Sequence, residues 1–331
     1  MIDGKVMVTG GAGYIGSHAV LALLDAGYEV VVVDNLVTGF DWAVDKRAEL
    51  VRCDVADEGR VRAALRGHHV RAVMHFAGSV VVPESVTDPL KYYRNNTAAS
   101  RSLIESAVAE GAAHFIFSST AATYGTPERV PIAEGDPTRP INPYGQSKLM
   151  TEQMLRDVAA AHPMNYGALR YFNVAGADPA GRSGQSTAGA THLIKVAVEA
   201  ATGKRDHVSV FGTDFATADG TGVRDYIHVS DLAAAHVAAL ELLAADPARS
   251  HTLNCGYGRG FSVMEVLDAV DRVTNMTIDR RIEGRRPGDP AELVADNSAI
   301  LAALPWRPAR DNLDGIVADA LAWERRLSER G

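Results

Sequence analysis

Residues 4–16 have the sequence GKVMVTGGAGYIG, in which a short apolar stretch runs into three spaced glycines. The apolar stretch predicts a buried strand, and Ile15 to Leu24 has the apolar spacing of a helix. Gly10, Gly13 and Gly16 therefore fall on the turn between the two, where glycine lets backbone N–H groups approach a pyrophosphate at the helix N-terminus. Any tight turn can use glycines, so the residues that follow must decide whether this is a dinucleotide site.

Outward from this turn, apolar runs alternate with helical patterns over about the first 175 residues. The predicted strands are Val6 to Thr9, Glu29 to Asp34, Glu49 to Asp54, Ala72 to Phe76, His114 to Ser118 and Gly167 to Tyr171. The predicted helices between them include Ile15 to Leu24, Pro89 to Ala109 and Tyr144 to Ala161. Such alternation forms right-handed crossovers. The sequence therefore predicts a Rossmann-type α/β fold with a doubly wound parallel sheet.

The regular alternation fades after Gly176, where the chain becomes rich in Gly, Ser, Thr and Ala. A helix from His192 to Thr202 follows, and His251 to Cys255 has the character of a strand that could return to the first sheet. We therefore expect a dinucleotide-binding domain at residues 1–175 and a smaller α/β substrate domain at residues 176–331.

Composition narrows the class of protein. With 47% hydrophobic and 22% charged residues, the chain is typical of a soluble globular protein. A net charge of -8 argues against general binding to nucleic acid or to a membrane surface. The absence of a signal-like start and of an apolar run of about 18 residues favours a cytoplasmic protein. Cys53 and Cys255 are isolated and the histidines lack ligand spacing, so we expect free thiols and no metal.

The second predicted strand, EVVVVD, ends at Asp34, eighteen residues beyond Gly16. A carboxylate there can accept hydrogen bonds from the adenosine ribose and repels a 2′-phosphate, so the pattern favours NAD over NADP. Asp54 ends the third predicted strand. It could reach the adenine amino group, or it could serve as a loop or helix-cap aspartate.

In NPYGQSKLM, residues 142–150, Tyr144 and Lys148 lie four apart and so share one face of the predicted helix. A phenol titrates near pH 10, but an ammonium and a positively charged nicotinamide both favour the phenolate. An incidental surface pair is the alternative. The acid–base interpretation is favoured because a strand-end hydroxyl cluster, SSTAATYG at 118–125, and the glycine-rich turn come before it.

Taken in order, the motifs resemble those of the UDP-glucose 4-epimerases, which are extended short-chain dehydrogenase/reductases. The matching stretches are TGGAGYIGSH, VVDNL, CDV, HFAG, PLKYYRNN, SSTAATYG, NPYGQSKLMTEQML, LRYFNVAGA, DGTGVRDYIHVSDLA and RRPGD. The resemblance covers about residues 4 to 325. Its first motifs are shared across the superfamily, whereas RYFN and DGTGVRDYIHV are far more specific to UDP-hexose 4-epimerases.

The resemblance implies reversible C4 epimerisation of UDP-galactose and UDP-glucose through a transient 4-keto sugar, with NAD retained as cofactor. It implies that Tyr144 removes the O4 proton, Thr120 bridges O4 and the tyrosine, and Lys148 holds the nicotinamide ribose. The implied cofactor-binding residues are Gly10, Gly13, Tyr14, Ile15, Gly16, Asp34, Asn35, Leu36, Thr38, Gly39, Asp54, Val55, Phe76, Ala77, Gly78, Asn95, Ser118, Lys148 and Phe172. The implied substrate-binding residues are Thr120, Tyr144, Asn173, His192, Leu193, Phe211, Arg224, Arg286, Asp289 and Leu293.

The arginines make chemical sense because a diphosphate needs bidentate cationic donors, which an acidic protein must supply locally. Arg224 could instead pair with Asp225, and Arg286 could belong to a solvated basic loop with Arg285. The resemblance also implies that Asp289 lies near the uridine ribose.

Three positions depart from the family pattern. Val80 stands where some members carry a lysine beside the cofactor phosphates, and His192 occupies a position that is often asparagine. Leu293 aligns where a bulky tyrosine in some members restricts the space beside the sugar C2 substituent. The smaller leucine suggests that an N-acetyl group could fit, so UDP-N-acetylhexosamines become candidate substrates.

Two other functions compete. A 4,6-dehydratase or a decarboxylase begins with the same C4 oxidation, but dehydration needs a further acid and base. Here Ala121, Ala122 and Thr123 follow Thr120, so that extra chemistry has no obvious carrier. A non-catalytic NAD-binding regulator would be expected to have lost the Tyr/Lys pair or the arginines. By analogy with the family we expect a homodimer formed through the helices Pro89 to Ala109 and Tyr144 to Ala161.

Overall fold

The computed structural model describes residues 2–286 and 288–329. Its strands are β1 Lys5–Thr9, β2 Val30–Asp34, β3 Glu49–Arg52, β4 Val70–His75, β5 His114–Thr120, β6 Asn165–Tyr171, β7 Asn173–Ala175, β8 Val208–Phe211, β9 Val223–His228, β10 His251–Cys255, β11 Gly260–Ser262, β12 Arg280–Glu283 and β13 Glu292–Leu293. Its α-helices are α1 Tyr14–Asp25, α2 Glu58–Gly67, α3 Val82–Thr87, α4 Pro89–Tyr92, α5 Ala99–Ala109, α6 Pro143–Ala161, α7 Leu193–Ala201, α8 Val229–Ala245, α9 Val263–Thr274, α10 Ser298–Ala303 and α11 Leu313–Glu329.

Seven parallel strands form the central sheet in the order β10-β6-β5-β4-β1-β2-β3, with helices on both faces. The predicted Rossmann-type fold is confirmed. The stretch His251 to Cys255 pairs with β6 and so returns to the first sheet, as expected. β3 ends at Arg52, so Asp54 lies in the loop beyond it rather than at the end of the strand as predicted.

Strand alternation divides the core into two layers. Val6 and Val32 face one side, where they pack in the same cluster as α1 and α8 residues. Met7 and Val33 face the other side, in a cluster that includes Leu155 of α6 together with residues of α2 and α5. Because both faces are covered, β1 and β2 carry continuous apolar runs, Val6 to Val8 and Val30 to Val33, rather than alternating residues, as expected for a buried parallel sheet.

The second half of the chain adds two small sheets beside the first. In one, β9 pairs with β7 and β13 in parallel and with β11 in antiparallel fashion. In the other, β8 pairs with β12 in parallel. These pairings matter for the site because they place Arg224 opposite Leu293 and bring Phe211 beside Glu283, just before Arg286.

The predicted helix Pro89 to Ala109 is interrupted. Between α4 and α5 the segment Tyr93–Ala98 widens into a π-helix, a feature that occurs frequently at functional sites. Its Asn96 is buried and points back into the molecule. Among the described residues, no helix is long and apolar enough to cross a membrane, and no group of three or more His, Cys, Asp or Glu could hold a metal ion.

Candidate active site

Most of the predicted cofactor residues lie at one edge of the central sheet. Gly10 follows β1, Phe76 to Gly78 follow β4, and Thr120 ends β5, and these strands are neighbours in the sheet. In doubly wound sheets ligands bind beyond the carboxyl ends of the strands. The fold therefore brings the glycine-rich turn and the hydroxyl cluster to the same cleft.

The glycine-rich turn is shaped to admit an anion. Gly10 has φ 71, and a Cβ there would lie 2.6 Å from the backbone nitrogen of Ala77. A Cβ at Gly16 would collide with the carbonyl oxygen of Gly10. Gly13 caps α1 without a side-chain hydrogen bond, and the first turn of the helix carries no acidic side chain. The N–H groups at this helix end can therefore meet a pyrophosphate, which fits the cofactor expected from the sequence.

Asp34 lies at the end of β2 with only 8% of its surface exposed. One carboxylate oxygen accepts from the backbone N–H of Ala12 (3.0 Å) and the other from that of Leu36 (2.8 Å). Leu36 has φ 60, which turns the chain sharply after the strand. Asp34 therefore joins the glycine-rich turn to the next loop and retains lone pairs for ribose hydroxyls.

Asp54 serves as a loop cap in this structure. Its carboxylate accepts from the backbone N–H of Ala56 (2.9 Å) and from the side-chain amide of Asn35 (3.0 Å). The capping alternative raised from the sequence is thus present, and a contact with adenine stays a prediction. Val55 next to it is buried in the core layer beside α2.

The loop after β2 closes over the glycine-rich turn. Thr38, Phe40 and Trp42 line a hollow of about 210 Å³ together with residues at the start of α1 and at 184–187. The ring of Trp42 lies 6.2 Å from that of Trp323 on α11, the last helix of the chain. Gly39 packs close to Ala12. The cofactor loop is therefore held partly by a distant segment that no local pattern reveals.

Tyr144 lies near the start of α6 with 7% of its surface exposed. Its hydroxyl lies near the side chain of Thr120, and its ring lies edge-on to that of Tyr92, with 6.4 Å between the ring centres. Burial raises the pKa of the Tyr144 phenol, as do the nearby Tyr171 and Tyr92, while the side chain of Thr120 opposes the rise. A nearby positive charge is therefore required before this phenol can lose its proton near neutral pH.

Lys148 lies one turn further along α6 and is also buried. Its ammonium donates to the carbonyl oxygen of Ser118 (3.0 Å) and lies 4.9 Å from the centre of the Phe117 ring. Burial lowers the pKa of Lys148 to about 8. Its amine also lies about 4.0 Å from where a side chain at Gly78 would begin, so it faces the loop after β4.

The sequence interpretation missed Asn96, which fixes that loop. Its carbonyl oxygen accepts from the backbone N–H of Ser79 (2.7 Å), and its amide donates to the Ser79 carbonyl and to Ser147 Oγ (both 3.0 Å). The predicted Asn95 donates to Ser79 Oγ (3.1 Å). Only the doubled asparagine in the sequence hinted at this role, since the π-helical widening that aims Asn96 inward has no sequence signature.

The predicted arginines lie across the cleft in the second half of the chain. Arg224 on β9 donates to the carbonyl oxygens of Val223 (2.8 Å) and Ala291 (3.4 Å). Burial lowers its pKa, and the neighbouring Asp289 opposes that shift. Asp225 faces the other way, since its carboxylate accepts from the backbone N–H groups of Tyr257 and Gly258 (both 2.9 Å). Arg224 is therefore not paired with Asp225.

Arg285 and Arg286 are neighbours in the chain, but only Arg285 makes an ion pair among the described residues. Arg285 is bound to Asp214 through its Nε at 2.6 Å. The Arg286 guanidinium lies 3.7 Å from the centre of the Phe211 ring and, within residues 2–286 and 288–329, has no carboxylate partner. Stacking on an aromatic face leaves the edge N–H groups of a guanidinium available to an anion.

Another hollow, of about 410 Å³, contains further predicted substrate residues. Asn173, His192 and Leu193 line it, together with Tyr226, which the sequence interpretation did not single out. The Nδ1 atom of His192 accepts from the amide of Gln185 (2.8 Å), which leaves Nε2 as the protonated nitrogen of the neutral ring. Burial lowers the pKa of His192 and so favours that neutral form.

Leu293 and Phe172 lie in the same small apolar cluster as Ala121, the residue that follows Thr120. Leu293 is thus close both to Phe172, one of the predicted cofactor-binding residues, and to the segment that carries Thr120. Val80, by contrast, is half exposed at the surface.

Comparison with known proteins places the chain in a family. The model of the NAD-dependent epimerase/dehydratase family matches residues 6–256. A UDP-glucose 4-epimerase of Azospirillum brasilense is 55% identical over 325 residues, which cover 98% of this chain and 93% of the relative. The structure of a UDP-glucose 4-epimerase from Stenotrophomonas maltophila with bound NAD and formylated UDP-arabinopyranose has a TM-score of 0.95 and 39% identity over 99% of this chain and all of that chain.

A further solved structure, the UDP-Glc/GlcNAc 4-epimerase of Campylobacter jejuni, has a TM-score of 0.86 and 44% identity, covering 98% of this chain and 100% of that one. With matches of this extent, the chain belongs to the NAD-dependent epimerase/dehydratase family. Within the family it groups with the UDP-glucose 4-epimerases, which are isomerases, so the resemblance inferred from the motifs is confirmed.

Proposed function

We propose that this enzyme interconverts UDP-galactose and UDP-glucose by inverting C4 through a 4-keto sugar, with NAD retained and no net oxidation. The observation that carries the proposal is that the buried Tyr144 lies beside Thr120, which ends β5, one helical turn from the buried Lys148. The glycine-rich turn, Asp34 and Lys148 would hold NAD, which would supply a reversible hydride acceptor for the sugar C4.

The chain's own residues supply binding and proton transfer. Tyr144 takes the proton from the sugar O4 and later returns it, and Thr120 holds the two oxygens in line. The Lys148 ammonium stabilises the phenolate through its charge. Its hydrogen bond to the Ser118 carbonyl fixes the amine where it can hold the ribose hydroxyls of the cofactor.

Tight binding of the UDP group explains how the hexose ring could rotate within the site. Arg224 and Arg286 supply charge-assisted donors for the diphosphate, and His192 and Asn173 line the adjoining hollow. The hexose would meet small or apolar groups such as Ala121 and Leu293. The ketone can therefore present either face to the cofactor while the nucleotide stays bound.

The segments around Thr120 and Glu152 do not provide the additional catalytic acid and base that a dehydratase would need. Ala121 to Thr123 form a single helical turn, and the Thr123 hydroxyl donates to the Thr120 carbonyl (2.9 Å). Glu152, the carboxylate that Ser119 contacts, is neutralised by Arg170 at 2.6 Å. Neither segment offers a free acid for the elimination step.

The test is to incubate the purified protein with UDP-galactose, without added NAD, and to identify the products by chromatography and NMR. We expect UDP-glucose to form, and denaturation of the protein should release NAD. A 4-keto-6-deoxy product would show that the enzyme is a 4,6-dehydratase instead. Unchanged UDP-galactose from protein that contains NAD would contradict the proposal.

A second substrate class is favoured by Leu293. Its position in the cluster with Phe172 and Ala121 leaves a leucine where a bulkier side chain would restrict the space beside the sugar C2 substituent. We expect UDP-N-acetylglucosamine to be epimerised as well, and Leu293→Tyr to lose that activity while keeping activity on UDP-glucose. Wild-type protein that acts on UDP-glucose but not on UDP-N-acetylglucosamine would contradict this extension.

The same family analogy supports a cytoplasmic homodimer, formed through the helices that begin at Pro89 and Pro143. Leu90 at the start of the first helix is 76% exposed in the single chain, which is compatible with a partner surface. Sedimentation equilibrium would distinguish a dimer from a monomer of 35.2 kDa.

A further inference from the structure

Three residues spaced by four along α6 meet three consecutive residues of β5. Tyr144 lies beside Thr120, and Lys148 donates to the Ser118 carbonyl. The third pair, Ser119 and Glu152, is also hydrogen bonded, with the Ser119 hydroxyl as donor. The first two pairs belong to the proposed chemistry, whereas the third lies behind it.

Glu152 is almost completely buried, with 1% of its surface exposed. Besides the Ser119 hydroxyl, its carboxylate accepts from Arg170 Nε (3.0 Å) and Nη2 (2.6 Å). Arg170 lies on β6, which neighbours β5 in the sheet. One carboxylate on the catalytic helix is therefore bound to two adjacent strands.

Arg170 extends the network away from the site. Its Nη1 donates to the Tyr124 hydroxyl (2.9 Å), which donates in turn to Asn254 Oδ1 on β10 (2.7 Å). The network joins α6 to the segment after β5 and to the edge strand, so Arg170 is itself held in one orientation. Its guanidinium cannot readily follow Glu152 if the helix shifts.

This arrangement fixes the register of α6 on the sheet. Apolar contacts between a helix and a sheet tolerate small displacements, but a buried charge that loses its partner is strongly destabilised. A slide by one residue would move Tyr144 by about 1.5 Å along the helix axis. A misplacement of about 1 Å in an active site can cost on the order of 100-fold in rate.

We propose that Glu152 and Arg170 are positioning residues that, through Ser119, hold Tyr144 in line with Thr120. The inference rests on the proposed function, because it assigns Tyr144 to proton transfer. Neither residue takes a proton in the reaction, since the carboxylate is neutralised by the guanidinium and faces Ser119 rather than the cleft.

The mildest test is Ser119→Ala, which removes the link to β5 and leaves the ion pair intact. The matched control is Ser106→Ala, because Ser106 is equally buried on α5 and its hydroxyl has no hydrogen-bond partner among the residues that the structure describes. We expect Ser119→Ala to lower kcat on UDP-galactose by about 3- to 10-fold with KM unchanged, as for a small loss of alignment. Ser106→Ala should leave kcat unchanged.

The pH profile separates positioning from general stability. The neighbouring Thr120 side chain lowers the pKa of Tyr144, so a tyrosine displaced from Thr120 should have a higher pKa. The acid limb of kcat should therefore move to higher pH in Ser119→Ala. The titratable groups around this phenol are Tyr92, Tyr171 and Lys148, and all three remain unchanged in the variant.

The second variant is the double replacement Glu152→Leu with Arg170→Met, which removes the pair without leaving a buried charge. We expect it to fold, to keep its NAD, and to lose about 10- to 100-fold in kcat, again with a shifted acid limb. Should it fail to fold, Ser119→Ala and its control decide the matter.

Wild-type kcat and an unmoved pH profile in Ser119→Ala would overturn the inference, and so would a lower kcat without a shift of the limb, which indicates a structural role alone. Either result leaves the proposed epimerase function standing. That function fails separately if the wild-type protein does not convert UDP-galactose.

Discussion

The two sides of the cleft differ in how their polar side chains are occupied. On the cofactor side, Asp34, Asn96 and Lys148 are all bound to backbone groups. On the substrate side, Arg286 stacks on an aromatic ring without an acidic partner among the described residues, and Arg224 donates to carbonyl oxygens with Asp289 nearby. The polar side chains on the cofactor side are fixed before any ligand binds, whereas the arginines on the substrate side keep N–H donors available for a ligand.

This difference matches what each ligand has to do. A cofactor retained through turnover is best held by a wall that needs no reorganisation, because preformed contacts lower the cost of binding. A nucleotide that must bind and dissociate in each cycle is better bound by arginines that make only weak interactions with the protein itself. The contrast predicts that changes on the two sides will affect different measurements.

The largest effect should come from the residue that stands between the two sides. Tyr144→Phe removes only a hydroxyl, so the fold and the bound NAD should persist. We expect turnover of UDP-galactose to fall about 10²- to 10⁴-fold, the range typical of a lost acid–base group. Near-normal turnover would show that another group removes the O4 proton.

Arg286→Leu tests the substrate side. Loss of charge-assisted hydrogen bonds worth about 1.5–3 kcal/mol should weaken UDP binding about 10- to 100-fold, as measured by calorimetry, without changing NAD content. Arg285→Leu is the matched control, because Arg285 is bound to Asp214 and should leave UDP affinity nearly unchanged. Equal losses of UDP affinity in the two variants would show that Arg286 has no specific role in binding UDP.

Asp34→Asn tests the cofactor side. An amide keeps one of the two backbone contacts but loses the charged acceptor for the ribose, so NAD should dissociate about 10-fold faster. The release can be followed by dialysis and assay of the remaining NAD. UDP affinity should be unaffected, and a parallel loss would mean that the two sides are not independent.

The smallest effect concerns stability. The pKa of Lys148 is about 8 in the folded protein and about 10.4 in an unfolded chain. Below pH 8 both states carry the charge and its burial destabilises the fold; between the two pKa values the unfolded state binds more protons, so stability rises with pH. In cofactor-free protein, Lys148→Met should therefore gain about 2 kcal/mol at pH 7, after loss of one hydrogen bond.

That gain should shrink as the pH rises from 8 and be absent well above pH 10, where the wild-type lysine is neutral in both the folded and the unfolded state. Urea unfolding at pH 7 and pH 10 measures the difference. A variant less stable than wild type at pH 7 would indicate that the Ser118 contact outweighs the cost of burying the ammonium.

The sequence predicted the parts of this molecule that depend on local spacing. The glycine-rich turn, the Tyr144–Lys148 pair and the alternation of strands and helices are all periodic or contiguous patterns. Asn96 was missed because a π-helical segment has the same composition as an ordinary helix. Glu152 was missed because a glutamate on a helix is usually solvated, and only the folded chain brings Arg170 to it.

The aromatic contact between the cofactor loop and the last helix has an optical consequence. The chain has 3 tryptophans, and two of them, Trp42 and Trp323, lie together beside the hollows that flank the cleft. The third, Trp306, is buried elsewhere and bound to the Asp231 carbonyl. Because indole emission overlaps the absorption of a reduced nicotinamide, these two side chains should make the redox state of the bound cofactor visible in the protein's own fluorescence.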